Sequence, residues 1–196
     1  AALELTEVQR RRVFDSVIFW DICGSSLKLA QLIQGNVVLT RLADDLGRAY
    51  RDDRPAVVIF DPLVSFGASE NAVNDNEQAL ITSARRIVRT LDCCVRFVHH
   101  TGKANARAAT LDQYSGRGGS ALADGSRMTT VLQAWNPNDD GHLRPPSGCK
   151  PDPESSLTIL ARAKLSDAPP NLPELWIKRR GYAFESFVEL KRSPEE

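Results

Sequence analysis

Two short apolar runs, each ending in polar side chains, limit the folds open to this chain. Val57 to Phe60 is followed by Asp61, and Cys93 to Val98 is followed by the pair His99-His100. Between them, apolar residues recur three and four positions apart, which predicts a helix. A strand, a helix and a strand with short connections form a right-handed unit of a parallel sheet. We therefore expect two central strands, the first of them buried on both faces.

The predicted helix between the runs is the clearest element of the sequence. Asn74 or Asp75 caps its start, and one apolar face continues to Asp92. That face comprises Leu80, Ala84, Ile87, Val88 and Leu91.

The flanking segments complete a prediction of an α/β fold. Before the first run, the pattern predicts a helix over 5–14, a β-branched and aromatic run over 17–20 that is typical of a strand, and helical spacing over 37–50. After His100, we expect a mobile loop over 101–119, a short helix over 120–127, and hairpin-connected strands over 128–135, 157–163, 175–178 and 182–188, with Gly181 in the last turn. The sequence thus predicts a mostly parallel sheet flanked by helices, with antiparallel strands on the C-terminal side.

Size and charge narrow the class of protein. The chain has 196 residues, and its 25 Lys and Arg balance 25 Asp and Glu. A single domain is expected at this length, and the balance excludes a strongly basic protein that coats nucleic acid. Because we find neither a membrane span nor a signal peptide, we expect a cytoplasmic protein without a membrane partner. Cys23, Cys93, Cys94 and Cys149 are then expected to be reduced, buried thiols.

Asp61 and the histidine pair are the first candidates for a functional site. Ligands of open α/β sheets bind at the carboxyl ends of the strands, so these side chains are expected in one crevice. A carboxylate there holds Mg²⁺ through water, and a histidine stabilises phosphate charge. The alternative for Asp61 is a capping role in the turn before Pro62.

Two other chemistries have weaker support. His99 and His100 point to opposite faces of a strand and cannot easily bind one zinc ion, and His142 is the third histidine of the chain. No G-x-S-x-G motif follows a strand. An unrelated α/β hydrolase using Asp61 and a histidine remains an alternative.

An ordered set of short motifs resembles one family. The motifs are Val57 to Leu63, Glu70-Asn71, Asn74-Asp75, Phe97 to Lys103, Arg117 to Leu122 and Asp124 to Arg127. Together they resemble the RepA-type plasmid replicative helicases, a branch of the RecA- and DnaB-like P-loop ATPases. The resemblance extends from about Asp15 to Phe187. It implies a RecA-like fold and a protein that hydrolyses ATP with the help of Mg²⁺.

The resemblance assigns roles to individual residues. Asp61 resembles the Walker B aspartate that orients Mg²⁺. His100, with His99 as the alternative, resembles the residue that contacts the γ-phosphate and relays nucleotide state to the DNA loops. Arg127 lies where this family places an arginine finger that reaches the ATP of a neighbouring subunit, which implies a ring of identical subunits, expected to be a hexamer. The alternative is that Arg127 only contacts the last carbonyls of its own short helix.

Two further features come from the same resemblance. Lys164 resembles a second cation that acts across the subunit boundary, although Ser166 stands where DnaB-like members often carry arginine. The loop over 101–119 corresponds to the region near the central channel, so Lys103, Arg107 and Arg117 are candidates for contacts with the phosphates of single-stranded DNA. The alternative for these three cations is an ordinary solvated loop.

One expected motif is absent from the sequence. No G-x-x-x-x-G-K-[ST] occurs in the 196 residues, and this motif supplies the backbone cradle, the lysine and the Mg²⁺-binding hydroxyl. We therefore expect a single, incomplete RecA-like domain over 1–196, lacking the P-loop strand and helix. The alternative is a non-catalytic RecA-like module that binds DNA or partner subunits.

Overall fold

A computed structural model describes residues 5–22, 24–68, 73–102, 105, 108, 110–116, 119–137, 143–149, 152–168 and 172–188. The chain divides into two compact units, and the candidate site lies in the unit formed by Ser26–Thr129 and Lys164–Ser166. The second unit comprises Ala1–Ser25, Thr130–Ala163 and Asp167–Glu196. The single domain remains a prediction. Among the described helices, none combines the length and the apolar composition needed to cross a membrane.

The unit with the candidate site contains four strands and three α-helices among its described residues. In chain order they are β1 (Ala30–Ile33), β2 (Asn36–Leu39), α2 (Leu42–Ala49), β3 (Val57–Phe60), a 3-10 turn (Leu63–Phe66), α3 (Val73–Leu91), β4 (Cys94–Phe97) and α4 (Ala121–Gly125). Helix α1 (Glu7–Asp15) belongs to the second unit.

The predicted strand–helix–strand unit is confirmed. β3 and β4 pair in parallel, with Val57 opposite Cys94 and Phe60 opposite Phe97, and α3 connects them. Phe60 is buried, and its ring centroid lies 5.5 Å from that of Phe97. This contact between Phe60 and Phe97 holds the carboxyl end of β3, which precedes Asp61, against β4.

The prediction that β3 is buried on both faces is wrong. Val57 is 48% exposed and Ile59 is 57% exposed. Successive side chains of a strand point to opposite faces, and none of the described elements covers the face that carries these two residues. A run of apolar residues therefore indicates that a strand forms, but it does not show that both of its faces are covered.

Helix α3 confirms the predicted amphipathic pattern at most positions. Leu80, Ala84, Ile87 and Leu91 are buried on one face. Val88, which was expected on that face, is 39% exposed. The buried face packs against β4 and α2, so α3 is the central helix of this unit.

The helical spacing expected over 37–50 is wrong in its first part. Asn36–Leu39 forms β2, an antiparallel partner of β1, and the helix begins at Leu42. Gly35 has a φ of 82°, a left-handed conformation that glycine adopts without steric cost and that closes a hairpin. The β-branched residues Val37 and Val38 favour the strand.

In the N-terminal segment of the second unit, the helix predicted over 5–14 is confirmed and the strand over 17–20 is not found. α1 spans Glu7–Asp15, and Thr6 and Gln9 form a capping box at its start. The run Val17 to Trp20 forms no strand, and Phe19 is 88% exposed. A strand requires a partner for its backbone hydrogen bonds, and no described strand pairs with this run.

The C-terminal strands form an antiparallel sheet in the order β5-β6-β7-β8. Their bounds are Met128–Ala134, Ser156–Leu165, Leu175–Arg180 and Ala183–Val188. These strands confirm the predicted hairpins, and Gly181, with a φ of 58°, makes the predicted turn between β7 and β8. Among the described residues, the expected mostly parallel sheet is limited to the β3–β4 pair.

The expectation of buried thiols is correct for two of the three described cysteines. Cys93 and Cys149 are buried, and both are free thiols. Cys94 is also a free thiol but is exposed, because adjacent residues at the start of a strand point to opposite faces. Cys23 lies outside the described residues.

Candidate functional site

The carboxyl ends of β3 and β4 lie side by side. The amide of Val98 donates to the carbonyl oxygen of Phe60 over 3.0 Å, and the amide of Leu63 donates to the carbonyl oxygen of Val98 over 2.7 Å. These bonds hold the chain on both sides of Asp61 against the end of β4. Asp61 therefore follows one strand and His99 the other at the same edge of the sheet, and the shared crevice expected for their side chains stays a prediction.

The Asp61 side chain is exposed and makes no hydrogen bond or ion pair with the residues that the structure describes. The 3-10 turn that follows begins after Pro62 and has no side-chain capping bond. This geometry gives no support to a capping role for Asp61. An exposed carboxylate that none of the described residues binds is available to a hydrated cation.

The two histidines have different surroundings. His100 is exposed, whereas His99 is half-buried. A Cβ atom added to Gly116 would lie 3.0 Å from Cδ2 of His99, so the glycine leaves space for the ring. Thr101 forms an isolated antiparallel bridge with Gly116. The segment after β4 is thus tied back to residue 116, beside His99.

The side chains at this edge of the sheet can supply only part of the ligands that a magnesium ion needs. Within the described part of the chain, no group of three or more His, Cys, Asp or Glu side chains could hold a metal ion. Mg²⁺ is commonly bound by one or two carboxylates, several waters and substrate phosphates. Asp61 suits that role.

Arg127 lies between the end of α4 and the start of the strand Met128–Ala134. Its carbonyl oxygen accepts a 3.0 Å hydrogen bond from the amide of Ser166, at the end of β6. The side chain is exposed and has no hydrogen bond or ion pair within the described residues. The backbone of Arg127 is therefore held in place while its guanidinium group stays available.

Lys164 contacts the C-terminal end of α4. Its Nζ donates to the carbonyl oxygen of Ala123 over 2.8 Å and to that of Asp124 over 2.9 Å. These are the last carbonyls of the short helix, which were the alternative partners proposed for Arg127. In this structure they bind Lys164 instead. A role for Lys164 across a subunit boundary would first require the release of these two bonds.

Glu77 is a residue that the sequence analysis missed. It is 5% exposed, and its carboxylate accepts hydrogen bonds from the amides of Gly119 and Leu122 at 2.8 and 2.9 Å. The signal was present in the sequence, because Glu77 lies three and seven residues before Leu80 and Ala84 on the apolar face of α3. A carboxylate on a buried face requires partners.

The three candidates for DNA contacts, Lys103, Arg107 and Arg117, lie outside the described residues, as does His142. Their roles remain predictions.

Comparison with known proteins identifies the family. A family model described as an AAA domain matches residues 3–106, slightly more than half of the chain. The match includes Asp61, His99 and His100 and ends before Arg127 and Lys164. No curated protein matches the chain. The matched region holds the parallel β3–β4 pair with the aspartate and the histidines at its carboxyl end, and the chain therefore belongs to the AAA domain family and contains an AAA-type, ATPase-like module.

Proposed function

We propose that this chain is the C-terminal portion of the RecA-like ATPase core of a RepA-type DNA helicase. In this proposal, identical subunits form a ring, expected to be a hexamer, and Mg-ATP hydrolysis at their interfaces drives the unwinding of DNA in replication. The observation that supports it best is that Asp61 and His99 follow the carboxyl ends of two paired parallel strands in a chain of the AAA family.

Each residue at this edge has a defined task in the proposal. Asp61 holds Mg²⁺ through water, and bound Mg²⁺ neutralises charge that develops on the transferred phosphoryl group. His100, or His99, contacts the γ-phosphate. The backbone cradle for the phosphates requires a glycine-rich loop, and no such motif occurs in the 196 residues. The cradle would have to come from residues outside this sequence.

Arg127 is proposed to act on the ATP of a neighbouring subunit. Its exposed side chain, without a partner among the described residues, supports this assignment. An arginine finger raises the rate of hydrolysis by a factor of about 10³–10⁵. Because the finger and the aspartate then belong to different subunits, full activity requires contact between neighbouring subunits.

Single-stranded DNA is the proposed nucleic-acid partner, bound through Lys103, Arg107 and Arg117. Each phosphate contact that is removed should lower the dependence of log K on log salt by about 0.7 for a single strand. Replacing each of these cations by alanine and measuring DNA affinity at several salt concentrations tests the assignment. An unchanged slope in all three variants would favour an ordinary solvated loop.

The main test measures ATP hydrolysis by the full-length protein that contains these residues. Asp61→Asn is compared with Asp53→Asn, a matched change of an exposed aspartate before β3. We expect Asp61→Asn to lose about 10–100-fold or more in rate, as changes at metal-orienting groups do. Asp53→Asn should keep the wild-type rate. Equal rates for the two variants would refute the role of Asp61.

The subunit boundary is tested by mixing two variants that are each expected to hydrolyse ATP much more slowly than the wild type. Arg127→Ala subunits keep Asp61, and Asp61→Asn subunits keep Arg127. Their mixture should recover part of the ATPase activity, because some interfaces then pair both intact residues. If the mixture recovers no ATPase activity even at high protein concentration, the proposed action of Arg127 across the subunit boundary is contradicted.

A second candidate function is a non-catalytic RecA-like module that binds DNA or partner subunits. The absence of a phosphate-loop motif from these residues favours it. The same assay separates the two candidates, since a full-length protein that binds DNA but never hydrolyses ATP would support the second one.

A further inference from the structure

The short helix α4 depends on contacts with distant parts of the chain. It has five residues, far fewer than the roughly 12–15 needed for even marginal stability of an isolated helix. Its N-cap residue, Ser120, makes no side-chain capping bond. The amides at its start and the carbonyls at its end therefore need partners from elsewhere.

The partner at the start of α4 is Glu77. One carboxylate oxygen accepts from the amide of Gly119, and the other accepts from the amide of Leu122. Glu77 lies 42 and 45 positions earlier in the chain, so it performs the task of a local cap from α3. Hydrogen bonds to a buried charged acceptor are stronger than those between neutral groups.

The partner at the end of α4 is Lys164. Its ammonium group binds the carbonyl oxygens of Ala123 and Asp124. A cation is favourable at a helix C-terminus, where the carbonyls carry partial negative charge. Glu77 and Lys164 therefore hold the same helix from its two ends, with a negative charge at its start and a positive charge at its end.

The helix also lies unusually close to α3. A Cβ atom on Gly125 would come within 2.9 Å of Cγ1 of Ile81, and one on Gly119 would collide with Oδ1 of Asn74. These glycines let the backbone approach α3 at both ends of α4. The position of the helix is thus set by two charged contacts and two close approaches.

Arg127 is connected directly to this arrangement. The amide of Ser126 ends α4 with a 3.1 Å bond to the carbonyl oxygen of Leu122. The carbonyl oxygen of Arg127 then binds Ser166, two residues after Lys164. The guanidinium group accordingly extends from a backbone that is fixed between the end of α4 and the end of β6.

We propose that Glu77 and Lys164 are positioning residues that hold α4 from its two ends and thereby fix the place of Arg127. Glu77 is assigned no contact with nucleotide, and for Lys164 the inference concerns its contact with α4, not the role across the subunit boundary that the resemblance implies. The consequence for ATP hydrolysis rests on the proposed function, whereas the structural part of the inference does not.

Hydrogen exchange of the 196-residue chain tests the structural part. Glu77→Gln keeps the size of the side chain but replaces one acceptor oxygen with a donor, and Lys164→Met removes all donors. The matched controls are Glu174→Gln, an exposed glutamate, and Lys28→Met, which loses a 2.8 Å bond to the carbonyl oxygen of Gly67. We expect exchange over 119–127 to become about tenfold faster or more in the first two variants and unchanged in the controls.

ATP hydrolysis by the full-length protein tests the link to Arg127. Both variants should lower kcat with little change in KM, and Lys164→Arg should restore part of the rate. In an Arg127→Ala background, neither variant should lower kcat further. Unchanged exchange over 119–127 in both variants, or a kcat loss that persists undiminished without Arg127, would overturn the inference. If the wild-type protein hydrolyses no ATP, the proposed function fails, and hydrogen exchange still decides whether the two residues hold α4.

Discussion

Substitution of Gly125 by alanine tests the close packing of α4 on α3. The added Cβ atom would lie 2.9, 3.0 and 3.1 Å from Cγ1, Cγ2 and Cδ1 of Ile81. Two of these atoms are attached directly to Cβ of Ile81, and a β-branched side chain in a helix has essentially one rotamer. Ile81 is also buried, so it cannot move aside without disturbing its neighbours.

Two opposing effects determine how much Gly125→Ala changes the free energy of unfolding. Replacing glycine by alanine restricts the unfolded chain and stabilises the folded state by about 0.4–1 kcal/mol. Overpacking of a filled site costs about 1–3 kcal/mol. The clash is larger, so we expect Gly125→Ala to destabilise the chain by about 1 kcal/mol. That change corresponds to a lower Tm by about 2–4 °C for a chain of this size.

The assay is a double-mutant cycle measured by denaturant unfolding. Ile81→Ala removes all three clashing atoms, so Gly125→Ala should become neutral or stabilising in that background. The coupling energy is expected to lie between about 1 and 3 kcal/mol. As a control, Gly148→Ala should be neutral or stabilising, because a Cβ atom there has no neighbour within 4 Å. If Gly125→Ala costs the same with and without Ile81, the packing argument is refuted.

Three other predictions concern charge, thiol chemistry and nucleotide. Hydrogen bonds from Lys178 and, to a smaller extent, from Arg180 hold the pKa of the Asp152 carboxyl well below its ordinary value, so these contacts stabilise the folded chain above a pH of about 4 and do so less as the pH falls further. Asp152→Asn should therefore lower the free energy of unfolding at pH 7, and by progressively less below pH 4, in denaturant unfolding. In a Cys23→Ser chain, a thiol reagent should modify exposed Cys94 first, because burial raises the pKa of the Cys93 thiol, and mass spectrometry that finds Cys93 labelled first would contradict this. The 196-residue chain should show no micromolar Mg-ATP binding in calorimetry, since its sequence contains no phosphate-loop motif; micromolar binding would overturn the assignment to an incomplete ATPase core.

The sequence alone was sufficient to predict the strand–helix–strand unit and the edge of the sheet at which Asp61 and the histidines follow their strands. The reason is that both depend on local patterns, namely short apolar runs, the 3.6-residue period of α3 and the rule that parallel strands end at the same edge. The predicted Gly181 turn is local for the same reason, since it involves residues that are only a few positions apart.

Tertiary structure decided which faces are covered and which charges meet. The exposure of Val57 and Ile59 depends on what packs against β3, and the failure of Val17 to Trp20 to form a strand depends on the absence of a pairing partner among the described residues. The contacts of Glu77 and Lys164 with α4 join residues 40 or more positions apart. No local period encodes such a contact, because the energy of a buried charge depends on the hydrogen-bond donors and acceptors that the fold brings to it.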